Sequence, residues 1–228
     1  MTATAEQRRE QLVALYKEVS QCTKCPLHET RAKTVFGAGN ADAGLMFVGE
    51  APGAEEDRQG LPFVGRAGQL LNQLLEEIGL SREDVFIANV LKSRPPRNRD
   101  PQPDEIAACE PYLWEQVRLI EPKVVCTLGN FATKLLSGSP TGITKVRGTP
   151  QVRELGSRTV FLLPLLHPAA ALRTPAMKET LRGDFATIPG LLAGPAPEPA
   201  PSAEEIAEAE ARPEAPPPPI DQLDMFGS

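Results

Sequence analysis

Four short apolar runs, each leading to a glycine or a polar residue, constrain the fold of this chain most strongly. Their length and their glycine and proline stops favour buried strands over helices, and they comprise Leu45–Val48, Val85–Asn89, Val124–Leu128 and Thr159–Leu163. Apolar residues at helical spacing predict helices over residues 5–20, 66–79, 103–120, 130–137 and 175–187. This alternation predicts an α/β fold, a three-layer α/β/α sandwich around a central, mostly parallel four-stranded sheet.

Three polar residues come directly after predicted strands or at their ends. Glu50 follows the first strand, Asn89 ends the second, and His167 comes shortly after the fourth. Ligands of such sheets bind beyond the carboxyl ends of the strands. We therefore expect these three side chains, which are distant in sequence, to converge on one crevice.

The composition of the chain changes at Ala193. The residues from there onward contain eight acids and one arginine, so the first 192 residues carry a net charge of about +1 within a total of −6. Residues 193–221 are rich in proline, alanine and glutamate, a composition that predicts a disordered linker. The linker would join a folded domain, residues 1–192, to a short apolar peptide, residues 222–228. A near-neutral domain can bind DNA through a local basic face, so total charge excludes nothing here.

The cellular setting shapes the interpretation of the four cysteines, at positions 22, 25, 109 and 126. We expect a soluble cytoplasmic protein without a membrane span, because the chain lacks a long apolar stretch and its N-terminus lacks a secretory signal. A reducing cytoplasm disfavours disulfides, so metal or redox chemistry is favoured. The C-x2-C spacing of Cys22 and Cys25 is shared by zinc and iron–sulfur sites, and spacing does not separate the two.

Three motifs carry the candidate chemistry. Gly49–Asp57 follows a strand, and its glycines permit close approach of backbone to a ligand, although a plain acidic surface turn fits as well. Phe63 stands between Gly60 and Gly65, where its ring is either part of the core or a face for a flat ligand. His167 precedes Pro168, which fixes the local backbone; a structural histidine is the alternative.

Taken in order, these motifs resemble family 4 uracil-DNA glycosylases, from about Cys22 to Arg182. The ordered set is C-x2-C, GEAPGAEED, GLPFVGRAG, Asn89 after a strand, C-x16-C and HPAA. The resemblance implies hydrolytic removal of uracil from DNA by a monofunctional glycosylase, leaving an abasic site for base excision repair. It also implies a structural [4Fe–4S] cluster on Cys22, Cys25, Cys109 and Cys126.

The resemblance assigns roles to the pocket residues. Phe63 is expected to stack on the flipped uracil, Asn89 to bond its Watson–Crick edge, and His167 to face the base oxygen that gains charge. The backbone around Glu50 and Ala51 is expected to line the pocket. Glu50 or Glu56 is expected to place water or exclude a methyl group, without a choice between them.

Contacts with larger partners are expected at two places. DNA contacts are expected from a basic run after Asn89 and from the segment after His167, through Lys92, Arg94, Arg97, Arg99 and Arg173. The tail motif resembles the bacterial sliding-clamp pentapeptide through Gln222, Leu223, Met225 and Phe226. The protein is expected to act as a monomer, associated with the nucleoid.

Three other functions stay open at this point. A related group traps uracil covalently and carries a basic insertion with histidine, but residues 142–149 contain none, which favours turnover. A non-catalytic nucleic-acid-binding module with structural zinc fits the cysteines. A magnesium-dependent nucleotide hydrolase fits the acids Glu55, Glu56 and Asp57.

Overall fold

The computed structural model describes residues 3–199 of the chain. Its helices are α1 (Ala5–Ser20), α2 (Ala54–Gln59), α3 (Arg66–Glu77), α4 (Pro103–Ile120), α5 (Asn130–Ser137), α6 (Ile143–Val146), α7 (Pro168–Ala171), α8 (Pro175–Phe185) and α9 (Ile188–Ala193). Its strands are β1 (Ala38–Gly39), β2 (Leu45–Gly49), β3 (Phe86–Asn89), β4 (Val124–Leu128), β5 (Gln151–Leu155) and β6 (Arg158–Leu165). Short 3-10 helices span Pro26–Glu29 and Pro96–Asn98. The expected clamp peptide, 222–228, and the linker from 200 to 221 lie outside the described residues.

The sheet has more strands than the sequence indicates. Within residues 3–199 its order is β1-β3-β2-β4-β6-β5, and the inner four strands are mutually parallel. These four are the predicted strands, but β1 and β5 add antiparallel edges, so the expectation of four strands in total is wrong. Edge strands β1, with two residues, and β5, with exposed polar positions, offer no apolar run for a sequence pattern to detect.

Helices cover both faces of the sheet, so the predicted three-layer sandwich is confirmed. One apolar cluster joins α1, α4 and part of α5 to side chains such as Met46 and Val48 of β2. A second joins α3, α7, α8 and α9 to the alternate residues Leu45 and Phe47. Each inner strand is buried on both sides, which is why it has no polar alternation. In the part of the chain that is described, no helix has the length and apolar character needed to cross a membrane.

Local signals explain where the long helices start. Thr4 caps α1, accepting a hydrogen bond from the Gln7 N–H, while the Gln7 side chain accepts one from the Thr4 N–H. Helix α4 has the same reciprocal arrangement between Gln102 and Glu105, with Pro103 at its first position. Since α4 carries Cys109 and packs on α1, its start also fixes the position of a predicted metal ligand.

Candidate active site and metal centre

The carboxyl ends of β2, β3 and β6 open onto one pocket of about 280 Å³. Its lining includes the residues singled out from the sequence for base binding and chemistry, namely Glu50, Ala51, Glu56, Phe63, Asn89 and His167. The spatial convergence expected from a parallel sheet is therefore present. What each residue does depends on its own contacts.

Phe63 is held in an uncommon backbone conformation. Its φ is +51°, in the left-handed region that a bulky residue seldom adopts. Arg82 stabilises this conformation, because its guanidinium donates hydrogen bonds to the carbonyls of Phe63 (3.0 Å) and Pro62 (2.7 Å). Gly68 permits the approach of α3, since a Cβ there would lie 1.7 Å from the Phe63 oxygen. The ring is thereby presented as a fixed wall of the pocket.

Asn89 offers an unsatisfied polar group. Its side chain is 1% exposed, and within residues 3–199 its Oδ1 has no hydrogen-bond partner. A buried polar atom without a partner costs about 1–3 kcal/mol, so such an atom at a pocket indicates a ligand that supplies the missing bond. Gly49 makes this arrangement fit, because a Cβ there would lie 2.4 Å from Oδ1.

The imidazole of His167 faces Phe63 across the pocket. The two ring centroids are 5.6 Å apart with 29° between the planes. Burial lowers the pKa of His167 to about 4, although the negative charge of Glu56 acts in the opposite direction. The ring is therefore neutral at pH 7. Its Nδ1 accepts the Ala169 N–H at 3.1 Å, which leaves the proton on Nε2 as a donor.

The two candidate glutamates have different surroundings. Oε1 of Glu56 accepts the backbone N–H groups of Val64 (3.0 Å) and Gly65 (3.2 Å), which ties it to the loop after Phe63. Glu50 lines both this pocket and an adjoining cavity. Burial raises the pKa of Glu50, and the nearby Asp100 raises it further. Both glutamates therefore line the pocket, but Glu56 is bound there to backbone N–H groups, whereas Glu50 also lines the adjoining cavity.

The basic run after β3 is only partly on the surface, and Lys92 is not a DNA contact. Lys92 is 2% exposed, and its Nζ donates to the Asn89 carbonyl (2.7 Å) and to Gln116 Oε1 (2.6 Å). Burial lowers its pKa to about 7. The sequence expectation for this residue is corrected: Lys92 supports the pocket strand from inside because its side chain turns into the layer of α4.

The other predicted DNA contacts are half-buried or exposed. Arg99 lines the pocket and also pairs with Glu105 at 2.5 Å. Arg94 donates to Asn98 Oδ1 at 2.8 Å, while Arg97 and Arg173 are exposed. Leu172, beside Arg173, is an exposed large apolar side chain. An exposed leucine flanked by a cation suits contact with a partner that has both stacked rings and phosphates.

Three of the four cysteines lie in the layer of α1 and α4. Cys22 and Cys25 pack against the apolar cluster that contains Cys109. Burial raises the pKa of Cys109; the nearby Lys92 lowers it, and the neighbouring Cys25 and Cys22 raise it. Three thiols in one layer are residues that could hold a metal, which they would bind as thiolates.

Cys126 does not join these three. It lies on β4 with its side chain in the opposite layer, in the cluster that contains α3 and α8. The sheet separates it from Cys109, so the four-cysteine set implied by the resemblance is wrong for this chain. Within residues 3–199 no group of three or more histidine, cysteine or acidic side chains is close enough to hold a single metal ion.

Sequence reasoning missed several supporting residues. Arg82 lies 19 positions after the residue that it holds, and Gln116 accepts from Lys92 and donates to the Phe36 carbonyl at 2.8 Å. Neither position has a motif of its own. Only Gly68 gave a signal, since a glycine inside a helical pattern often marks a close backbone approach.

Comparisons with known proteins agree with this site. Residues 36–186 match the model of the uracil DNA glycosylase superfamily. A type-4 uracil-DNA glycosylase of Thermotoga maritima is 50% identical over 72% of this chain and 85% of its own length. The type-4 uracil-DNA glycosylase of Sulfurisphaera tokodaii is 47% identical over 78% of this chain and 83% of its own length. That of Archaeoglobus fulgidus is 44% identical over 78% of this chain and 92% of its own length. The chain therefore belongs to the uracil DNA glycosylase superfamily and, within it, to the type-4 uracil-DNA glycosylase family.

Proposed function

We propose that this protein removes uracil from DNA by hydrolysing the N-glycosidic bond, leaving an abasic site for base excision repair. One observation supports this most strongly: a single pocket joins an aromatic ring, a buried amide oxygen that has no hydrogen-bond partner among residues 3–199, and a neutral imidazole N–H. The relatives named as type-4 uracil-DNA glycosylases, which align with most of the chain, support the same activity.

Recognition requires that the nucleotide leave the duplex. Flipping costs a few kcal/mol, and stacking on Phe63 offsets part of this. The Asn89 amide reads the exposed edge, with Oδ1 accepting the uracil N3–H and Nδ2 donating to O4. Cytosine presents an acceptor at N3 and an amino group at C4, so both contacts would be lost and the buried amide left unpaired.

Cleavage moves the electron pair of the glycosidic bond onto the base. His167 donates a hydrogen bond from Nε2 to the uracil oxygen that gains charge, which stabilises the departing anion. A neutral donor suits this task because it stabilises the anion without needing to be protonated at pH 7. The role of His167 is therefore electrostatic, as in an oxyanion hole.

Glu50 is the better candidate for placing water. Its carboxylate lines both cavities, so it can stabilise the sugar cation and orient the water whose oxygen bonds to C1′. The proton of that water passes to Glu50 or to solvent. Glu56 instead acts as a positioning residue, because its carboxylate oxygen holds the loop that presents Phe63.

A magnesium-dependent hydrolase is less well supported. Glu55 accepts hydrogen bonds from Arg58 on the outer side of α2, and Asp57 Oδ1 accepts the Ala32 N–H at 3.0 Å. Neither carboxylate lines the pocket that contains Asn89 and His167. The three acids of this run therefore point to different places rather than to one ion.

We further propose a structural [4Fe–4S] cluster held in part by Cys22, Cys25 and Cys109. When bound, it would tie the loop after α1 to α4. The support is the shared layer of these thiols together with the type-4 family, and a zinc site is the competing assignment.

The remaining proposals concern partners and location. DNA contacts are proposed for Arg94, Arg97, Arg99 and Arg173. We also propose that Leu172, an exposed apolar side chain, fills the gap left by the flipped base. Three further proposals rest on the sequence: clamp binding by the tail, a monomeric state, and a cytoplasmic, nucleoid-associated location.

Deleting residues 220–228 should abolish clamp binding and leave excision from free oligonucleotides unchanged. Retained clamp binding by the shortened protein would reject the tail motif.

Excision is tested with a duplex that holds one uracil. The protein is incubated with it, free base is measured by mass spectrometry, and hot alkali reveals abasic sites as breaks; thymine and cytosine duplexes are the controls. His167→Ala should slow release by about 10²–10³ while DNA binding persists. Absence of uracil release by the wild type would reject the proposed activity, and a near-normal rate for the variant would reject the role of His167.

A further inference from the structure

Three thiols meet on one side of the sheet, at the junction of the N-terminal loop with α4. The Nζ atom of Lys24, which lies between Cys22 and Cys25, is 4.5 Å from the centroid of the Tyr112 ring. Tyr112 is three residues after Cys109 on α4, so it lies on the same helix face. The loop that carries the two N-terminal thiols is therefore seated beside Cys109.

The fourth cysteine is unable to reach this junction. Cys126 is paired in register with Phe47 and Leu163 on the neighbouring strands, and all three side chains belong to the cluster on the far face of the sheet. Side chains at the same register position of adjacent strands point to the same face. A cluster on Cys22, Cys25 and Cys109 thus needs a fourth ligand from elsewhere.

Ser93 is the polar residue placed to supply it. The backbone N–H of Lys92, immediately before it, lies 3.5 Å from Cys109 Sγ, and Ser93 itself is buried. Its Oγ accepts a hydrogen bond from Arg31 Nη1 at 3.2 Å. Arg31 ends the turn that begins at Cys25, since its N–H bonds the Leu27 carbonyl. The Ser93 hydroxyl is thereby bracketed by the segment after Cys25 and by Cys109.

We propose that Ser93 completes the ligand set, so that three cysteine thiolates and one serine oxygen hold the cluster, an inference that rests on the iron–sulfur cluster proposed above. On coordination an iron–oxygen bond forms and the hydroxyl proton passes to solvent, as for other metal ligands. The guanidinium of Arg31 stabilises the alkoxide by a charge-assisted hydrogen bond. Oxygen is a harder donor than thiolate, so the iron at Ser93 is the one held most weakly.

The test counts metal and sulfide and records EPR and visible spectra of the full chain, reconstituted without oxygen. The wild type should hold four irons per chain. Ser93→Ala should lose one iron and, after one-electron oxidation by added ferricyanide, give the EPR signal of an oxidised three-iron cluster. Ser93→Cys should restore four irons with an altered spectrum. Cys126→Val, which puts an apolar side chain without a thiol at this buried position, should keep the wild-type iron content and spectrum.

Other outcomes would overturn the inference. The first is a wild-type iron content and spectrum in Ser93→Ala. The second is loss of the cluster in Cys126→Val with an unchanged melting temperature. The third is a colourless wild-type protein that contains stoichiometric zinc. If Cys126→Val fails to fold, Cys126→Ala replaces it under the same criteria. Uracil release is measured in parallel, so a failed cluster assignment with normal excision rejects the ligand set and leaves the proposed glycosylase activity in place.

Discussion

Gly49→Ala tests whether the pocket depends on the close approach of Phe63 and Asn89, the two residues proposed to contact the base. Gly49 ends β2, directly beneath the pocket. A Cβ there would lie 2.4 Å from Asn89 Oδ1, 2.7 Å from Phe63 Cζ and 2.9 Å from Phe63 Cε2, whereas ordinary contact begins at 3.4 Å. The amide or the ring must therefore move by roughly 1 Å. A displacement of that size in a positioned group can reduce a rate by about 10².

The effect on folding should be much smaller than the effect on the reaction. Overpacking of one methyl group costs about 1–3 kcal/mol, which leaves an ordinary domain folded. The assay is single-turnover release of uracil from a duplex, with thermal unfolding measured on the same samples. We expect a rate reduced by about 10² and a melting temperature reduced by a few degrees.

Gly183→Ala is the matched control. Gly183 lies within α8, where an added Cβ meets nothing within 4 Å. That substitution should leave excision unchanged and stabilise the helix by up to about 1 kcal/mol. A wild-type excision rate in Gly49→Ala would refute the close-contact geometry of the pocket, as would an equal loss of rate in the two variants.

Other substitutions and titrations test single contacts of the pocket. Asn89→Asp should weaken discrimination of uracil from cytosine, because a carboxylate cannot donate a hydrogen bond to O4. Asn40→Asp on the surface is the control. An unchanged preference for uracil in Asn89→Asp would reject the role of Asn89 in reading the base edge. Arg82→Gln should reduce excision about tenfold or more, since charged hydrogen bonds of about 1.5–3 kcal/mol hold the Phe63 loop; a normal rate would show that the loop is fixed otherwise. NMR titration should show His167 with its proton on Nε2 at pH 7 and a pKa near 4 rather than the ordinary 6.5. Because folding lowers this pKa, the stability that the neutral ring contributes is present above pH 6.5 and is lost as the pH falls toward 4. Between these two pH values the melting temperature should therefore fall less in His167→Gln than in the wild type. An equal fall in the two proteins would contradict the lowered pKa.

The site could be predicted from sequence where it follows from topology. Parallel strands place their carboxyl ends at one edge, so the convergence of Asn89 and the post-strand His167 required only that the strands be identified. Edge strands β1 and β5 could not be predicted in the same way, because edges are short or partly solvated and lack a continuous apolar run. The turn at Gly156, with φ of +61°, joins β5 to β6 and is the one strong local signal for β5.

The corrections at Cys126 and Lys92 share one physical cause, which is side-chain direction. Cys126 lies in a strand that is buried on both faces, so its apolar neighbours do not reveal which layer its thiol enters. Lys92 belongs to a run of basic residues, yet the strand before it directs its side chain inward to the Asn89 carbonyl. Composition identifies such residues as ligands or surface cations, but only the fold determines the direction in which they point.

A crystal structure of the protein with free uracil would show whether one base lies between Phe63, Asn89 and His167. We expect the ring stacked on Phe63, its N3–H within hydrogen-bonding distance of Asn89 Oδ1, and a base oxygen facing His167 Nε2. Uracil bound at another surface, or in this pocket with its N3 edge turned away from Asn89, would refute this arrangement.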